Sequence, residues 1–241
     1  MTEVNAMFFS LPILSKALFI GGYSLLIGIL LRGSRRLMPN VESHSTYSHI
    51  AYFGCASRAH FIPLELLIAI LSIFVVYRGD LTLISVSFLL FTRILVILSY
   101  IDVRTKRLPD TLTIPLLWLG LIINSDHFIT DLNSALWGAV GGYLSIWIMY
   151  WIYKFMTGSI GIGYGDFKLF AAIGAWGGIT VLLPTFMYAS ISSVILSIII
   201  SLFTKKSITE YFAFGPYLAF FGWLTIILNL PEKLSLLNTQ F

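Results

Sequence analysis

The sequence predicts an all-α polytopic membrane protein, a bundle of about eight transmembrane helices with both termini on the non-cytoplasmic side. Three observations predict it. Of 241 residues, 58% are hydrophobic and only 11% charged, against roughly a quarter charged in soluble domains. Apolar runs longer than a core helix needs recur along the whole length, so the bilayer must be part of the solvent. Finally, the basic residues collect on one side of the resulting topology. Arg32, Arg35, Arg36 and Arg58 share one connection, and Arg104, Lys106 and Arg107 a second. Lys154 and Lys168 flank a third, and Lys205 and Lys206 lie in a fourth. The positive-inside rule puts those four connections in the cytoplasm. Retention at the inner leaflet accounts for the net charge of +4, so no nucleic-acid partner is needed to explain it.

The spans fall at about 7–31, 63–77, 81–101, 111–124, 132–153, 166–178, 179–203 and 211–230. Span 7–31 follows Glu3 rather than a basic n-region and has no small-residue cleavage pattern, so it reads as a retained helix. The run from Phe167 to Phe203 would make ~55 Å of helix at 1.5 Å per residue. A hydrocarbon core of ~30 Å cannot hold that upright, and Gly177-Gly178 is the natural break. Span 111–124 gives only ~21 Å and must borrow flanking residues or sit in a thinned bilayer. The chain reads as a single membrane domain over 1–241. Its longest connection, 32–62, is a short cytoplasmic loop rich in Ser, Arg, His and Tyr, too small for a separate domain of ordinary size.

Two acidic residues sit at the cytoplasmic ends of spans. Asp102 closes the third, in Ile101-Asp102-Val103-Arg104. Asp166 opens the sixth, in Gly163-Tyr164-Gly165-Asp166-Phe167-Lys168. Topology therefore puts both at one depth. Peptide hydrolysis by two carboxyl groups needs one ionised, to take a proton from water, and one protonated, to polarise the scissile carbonyl. The field at a helix start favours the anion at Asp166, and that at a helix end favours the proton on Asp102. Arg104, Lys106 and Arg107 pull the other way, so the proton's seat stays open. Gly163 and Gly165, lacking side chains, let an extended substrate backbone approach beside the carboxylate. Lys168 and Glu65 are further candidates for contact with substrate.

Structural roles compete with these. Asp166 could serve as a helix N-cap, and Asp110, after Pro109, reads as the cap of the fourth span. Lys168 could snorkel to the phosphate layer, and Glu65 could make a structural hydrogen bond. The single cysteine, Cys55, excludes an intrachain disulfide. His44, His49, Cys55 and His60 could supply four zinc ligands, but their spacing matches no familiar site, so neither a metal nor another cofactor is expected.

These residues together resemble a known family. Gly163-Tyr164-Gly165-Asp166-Phe167-Lys168-Leu169 is similar to the GxGD signature of type IV prepilin peptidases. Ile101-Asp102, followed by Arg107-Leu108-Pro109-Asp110-Thr111-Leu112-Thr113, resembles that family's first aspartate motif. Phe214-Gly215-Pro216-Tyr217-Leu218-Ala219 resembles a loop before its last helix, and Pro63-Leu64-Glu65-Leu66-Leu67 its approach to the second. A lone GxGD is weak, because presenilin-like proteases and preflagellin peptidases share it. The ordered pair of aspartate motifs is strong.

The resemblance implies a membrane aspartyl protease with Asp102 and Asp166 as its catalytic pair. It would lie in the bacterial inner membrane with periplasmic termini and a site facing the cytoplasm. Its substrates would be precursors of type IV pilins or type II secretion pseudopilins, cut at the leader peptide, with the lipid bilayer and the substrate's membrane helix as partners. Many relatives carry two CxxC pairs in the first cytoplasmic loop, bind zinc and N-methylate the new terminus. Here the loop is short and keeps Cys55 alone, which puts methyl transfer in doubt. A proton-coupled transporter and a noncatalytic secretion assembly factor are the alternatives. A transporter would carry carboxylates near the bilayer midplane, and none of the eleven Asp and Glu residues falls there in this layout. The intact aspartates speak against a noncatalytic factor.

Overall fold

The computed structural model describes residues 68, 70–72, 83–158, 163–204 and 213–238. The expected first span and most of the second lie outside them. So do Glu65, Cys55 and the three loop histidines. The described residues form helices and turns without a strand. In order these are α1 (Leu83–Thr105), α2 (Asp110–Asn124), α3 (Leu132–Thr157), α4 (Tyr164–Gly177), a 3-10 turn (Ile179–Val181), α5 (Leu182–Thr204) and α6 (Gly215–Asn238). Three stretches are long and apolar enough to cross a membrane: Val86–Thr105, Leu132–Thr157 and Ile179–Phe203.

The chain divides into two compact units, 1–93 and 94–241, and the division falls within α1. In the first, Phe88 and Phe91 are fully buried with ring centroids 5.4 Å apart. The second holds everything that follows.

Its centre is α4. Eleven of its fourteen residues are buried, although the helix is only ~21 Å long. Small residues make this possible. The run Ala171-Ala172-Ile173-Gly174-Ala175 offers little side chain, so neighbouring backbones come close. Gly138 and Gly142 of α3, spaced as GxxxG, face Gly174 and Phe170–Ala171 of α4. A methyl group on Gly138 would run into the backbone of Gly174, and one on Gly142 would stand 2.7 Å from the Phe170 carbonyl oxygen. Apolar burial drives little helix association in lipid, so close packing of this kind supplies the attraction instead.

The end of α4 farthest from Asp166 is tied by a buried amide. Asn124 Nδ2 donates to the carbonyls of Ala175 (2.8 Å) and Trp176 (3.1 Å), which an α-helix leaves unpaired at its C-terminus. Asn124 Oδ1 accepts from the Ile129 and Thr130 amides at 3.1 and 3.0 Å. Trp176 Nε1 donates to Leu116 O of α2 at 2.8 Å, the residue after Pro115, which lies within that helix. Gly178 then breaks the chain at φ +83°, a conformation that suits glycine. The break expected at Gly177-Gly178 from span length is thus where α4 stops.

α5 and α6 complete the unit. Their buried hydroxyls Thr185 and Thr225 meet at 2.7 Å. α5 turns most of its surface outward, with Leu183, Leu202 and Phe203 exposed, as suits a helix that faces lipid tails.

Candidate active site

α1 runs past the expected end of its span, through Asp102 to Thr105. It stops where Lys106 takes a left-handed conformation (φ 52°) and its amide bonds Asp102 O at 2.7 Å. Asp102 therefore lies in the last helical turn, with its carboxylate turned inward and only 5% of the residue exposed. That carboxylate reaches the start of α6. The Gly215 amide donates to Asp102 Oδ2 at 3.0 Å, so the negative end of α1 is answered by the positive end of another helix.

Asp166 is held in a parallel way. Gly163 is the N-cap of α4, in an extended conformation with no side chain to cap it, and Asp166 is the third residue in. From there its carboxylate accepts a hydrogen bond from the Gly163 backbone amide. This is the returning half of a capping box, made without the other half. Asp166 is 7% exposed and lies within electrostatic reach of Asp102. The two carboxyl groups, 64 positions apart in the sequence, are thus brought together, each pinned by a glycine amide at a helix start.

The remaining expected residues divide. Gly163 is exposed beside Asp166. Gly165 is not open in the same way: Leu108 covers it, and a methyl group there would stand 2.6 Å from Leu108 Cβ. Its bare surface receives the loop between the two aspartate motifs. Lys168 Nζ donates to Asp110 Oδ1 at 2.6 Å, with both side chains partly exposed.

Two capping expectations are corrected. Asp110 is the first residue of α2 and the cap is Pro109, with no side-chain hydrogen bond. Asp110 spends its carboxylate on Lys168. Asp166 is likewise not an N-cap, because that position belongs to Gly163.

Flanking Asp166, the Tyr164 hydroxyl meets that of buried Tyr150 at 2.9 Å, and both rings meet Phe167 edge-on. Lys154 lies 5.0 Å from the ring centroid of Trp151. Among the described residues no cluster of three or more His, Cys, Asp or Glu could hold a metal ion.

Reasoning from sequence missed the tasks of Gly215 and Leu108. Both lie within stretches whose motif character was visible, but a motif does not record which residue its backbone touches.

Known proteins resemble the chain over the stretch that holds both aspartates. Residues 89–198, which include both aspartates, match the Type IV leader peptidase family. The chain is 44% identical over 163 residues to the prepilin leader peptidase/N-methyltransferase of Stutzerimonas stutzeri, covering 68% of this chain and 56% of that protein. It is 42% identical over 175 residues to that of Dichelobacter nodosus (72% and 59%) and 40% over 166 to that of Neisseria gonorrhoeae (69% and 57%). The chain thus spans less than two thirds of the length of these curated relatives. No solved structure matches it. The stretch that holds both aspartates, residues 89–198, is thus the part of the chain that matches the type IV leader peptidase family, and the prepilin leader peptidase/N-methyltransferases above resemble the chain at 40–44% identity.

Proposed function

We propose that this protein is an aspartic endopeptidase. It removes the leader peptide from type IV prepilins or type II secretion pseudopilins at the cytoplasmic face of the bacterial inner membrane. The observation that carries this reading is the Asp102–Asp166 pair, both buried, with Asp166 in electrostatic reach of Asp102 and each carboxyl group separately anchored. Relatives named for prepilin leader cleavage support the substrate class.

The chemistry runs through one water held between the two carboxyl groups. The ionised member takes a proton from the water as oxygen attacks the scissile carbonyl carbon. The protonated member donates to the carbonyl oxygen, so the tetrahedral intermediate forms without a free oxyanion. Collapse breaks the C–N bond, and the proton removed from water passes to the leaving amine. The glycine amides serve geometry: with Asp102 Oδ2 engaged by Gly215, Oδ1 is left for water or substrate. Burial keeps bulk water from competing, which strengthens each of these interactions.

Gly163 is the proposed edge along which the unwound leader lies, and Glu65 a proposed contact for it. Gly165 and Lys168 act on the shape of the site, through Leu108 and Asp110. The substrate's apolar segment would stay in the bilayer, as the height of the two aspartates at one end of their helices suits. Methyl transfer is not part of this activity, because the 32–62 loop carries Cys55 as its single cysteine.

Cleavage of a prepilin in membranes tests the reading. Asp102→Asn and Asp166→Asn should each abolish the product while abundance holds, and full activity in either one refutes the two-carboxylate mechanism. Mass spectrometry of the mature terminus checks methylation: an added methyl group would return that activity to the chain.

A further inference from the structure

We propose that the start of α6 is a third component of the active site, with Gly215 as the positioning residue for Asp102. The inference rests on the peptidase reading above and extends it outside residues 89–198, the stretch that matches the family.

Three features of Gly215 point the same way. It is buried, its amide bonds Asp102 Oδ2 at 3.0 Å, and it is the first residue of α6. An amide at that position has no partner within its own helix, so the bond to Asp102 satisfies a donor that would otherwise be buried unpaired. The absent side chain matters equally. A Cβ on Gly215 would stand 2.6 Å from Asp102 Oδ2 and 3.1 Å from its Cγ, inside the space the carboxylate fills. Only glycine both donates to this carboxylate and leaves it room. Asp102 itself, in the last turn before Lys106 reverses the chain, has no amide at the end of its own helix to fix it. Its neighbours there offer carbonyls, which repel an anion. The orientation of one catalytic acid therefore comes from a residue 113 positions away.

The test compares two glycines of one helix. Gly215→Ala pushes on the Asp102 carboxylate. Gly222→Ala pushes on Ile173 Cδ1, also at 2.6 Å, so it disturbs the packing of α6 against α4 without touching an aspartate. In detergent-purified full-length enzyme with a prepilin substrate, Gly215→Ala should lower kcat about a hundredfold, the cost of misplacing a reacting group by an ångström. KM should stay within about threefold, since no leader contact is removed. Gly222→Ala should keep kcat near wild type per folded molecule.

A wild-type protein that cuts no prepilin would overturn the peptidase reading itself. Cleaving wild type with an equally active Gly215→Ala variant would overturn the positioning role alone, as would parallel kcat losses in both variants. A readout without activity covers a variant that fails to fold. Selective isotope labelling of Phe–Gly pairs marks Gly54, Gly215 and Gly222; with the Gly215 signal identified by its loss in Gly215→Ala, that amide should exchange slowly in wild type and at least tenfold faster in Asp102→Ala. Equal exchange in the two would overturn the assignment.

Discussion

Replacing Gly142 by alanine tests whether helix spacing sets catalytic geometry. A Cβ there stands 2.7 Å from Phe170 O, 3.0 Å from Phe170 C and 3.1 Å from Ala171 Cα. All three are backbone atoms, so no side chain can swing away. Ordinary contact begins near 3.4 Å, so α3 and α4 must part locally by about 0.7 Å. Phe170 is one helical turn from Asp166, and a rigid helix carries most of that shift to the carboxylate. If an ångström costs about a hundredfold, this displacement should lower kcat roughly ten- to fiftyfold. The accompanying loss of stability should be about 1–3 kcal/mol, the usual range for overpacking. The assay is steady-state prepilin cleavage in reconstituted vesicles, with folded enzyme counted independently. Gly158→Ala is the comparison: its φ of +68° strains alanine, but nothing lies within 4 Å. It should cost roughly 1–2 kcal/mol and leave kcat alone. Wild-type kcat in Gly142→Ala would mean that the site adjusts independently of α4, and the reasoning from packing would be wrong.

Lys168→Asp and Asp110→Lys should each slow cleavage severalfold, and the exchanged pair should recover most of the rate, because the bond joins the two aspartate motifs. Stability should change by under about 1 kcal/mol, as for other partly exposed ion pairs; failure of the exchange to rescue would return Lys168 to substrate binding. Asn124→Leu removes four buried hydrogen bonds. At ~0.6–1 kcal/mol each, it should lower stability by about 2–4 kcal/mol in denaturant titration while folded enzyme keeps its kcat. Thr185→Val should cost only about 0.6 kcal/mol, since Thr225 Oγ1 retains Phe221 O and Gly222 O as partners.

Much of this arrangement could be read from the chain in advance, for identifiable reasons. Bilayer thickness limits helix length, and that alone demanded the interruption at Gly177-Gly178. The placing of Asp102 at the end of one apolar run and Asp166 at the start of another was likewise visible, and the structure has them in the last turn of α1 and the first turn of α4. The long-range contacts were not legible. Nothing near Asp102 says that its carboxylate is answered by Gly215, because a backbone amide carries no residue signature. Asp110 after Pro109 has the local look of a cap, and only the fold shows Lys168 competing successfully for it. Gly165 looked open because sequence records its missing side chain but not Leu108, which fills the space. The extension of α1 to Thr105 was hidden by the polar residues of its last turn, which resemble a loop when charge is taken as the boundary.

The encasement of α4 has a consequence for the depth of catalysis. A helix surrounded by lipid shifts or tilts when the bilayer thins, because its apolar length must be matched. α4 is surrounded by polypeptide, so Asp166 takes its elevation from α2, α3 and α6. Mismatch with the membrane falls on outward-facing α3 and α5, whose large exposed residues include Phe155, Leu202 and Phe203. The height of the Asp102–Asp166 pair is thereby buffered against changes in lipid composition that would shift a helix surrounded by lipid.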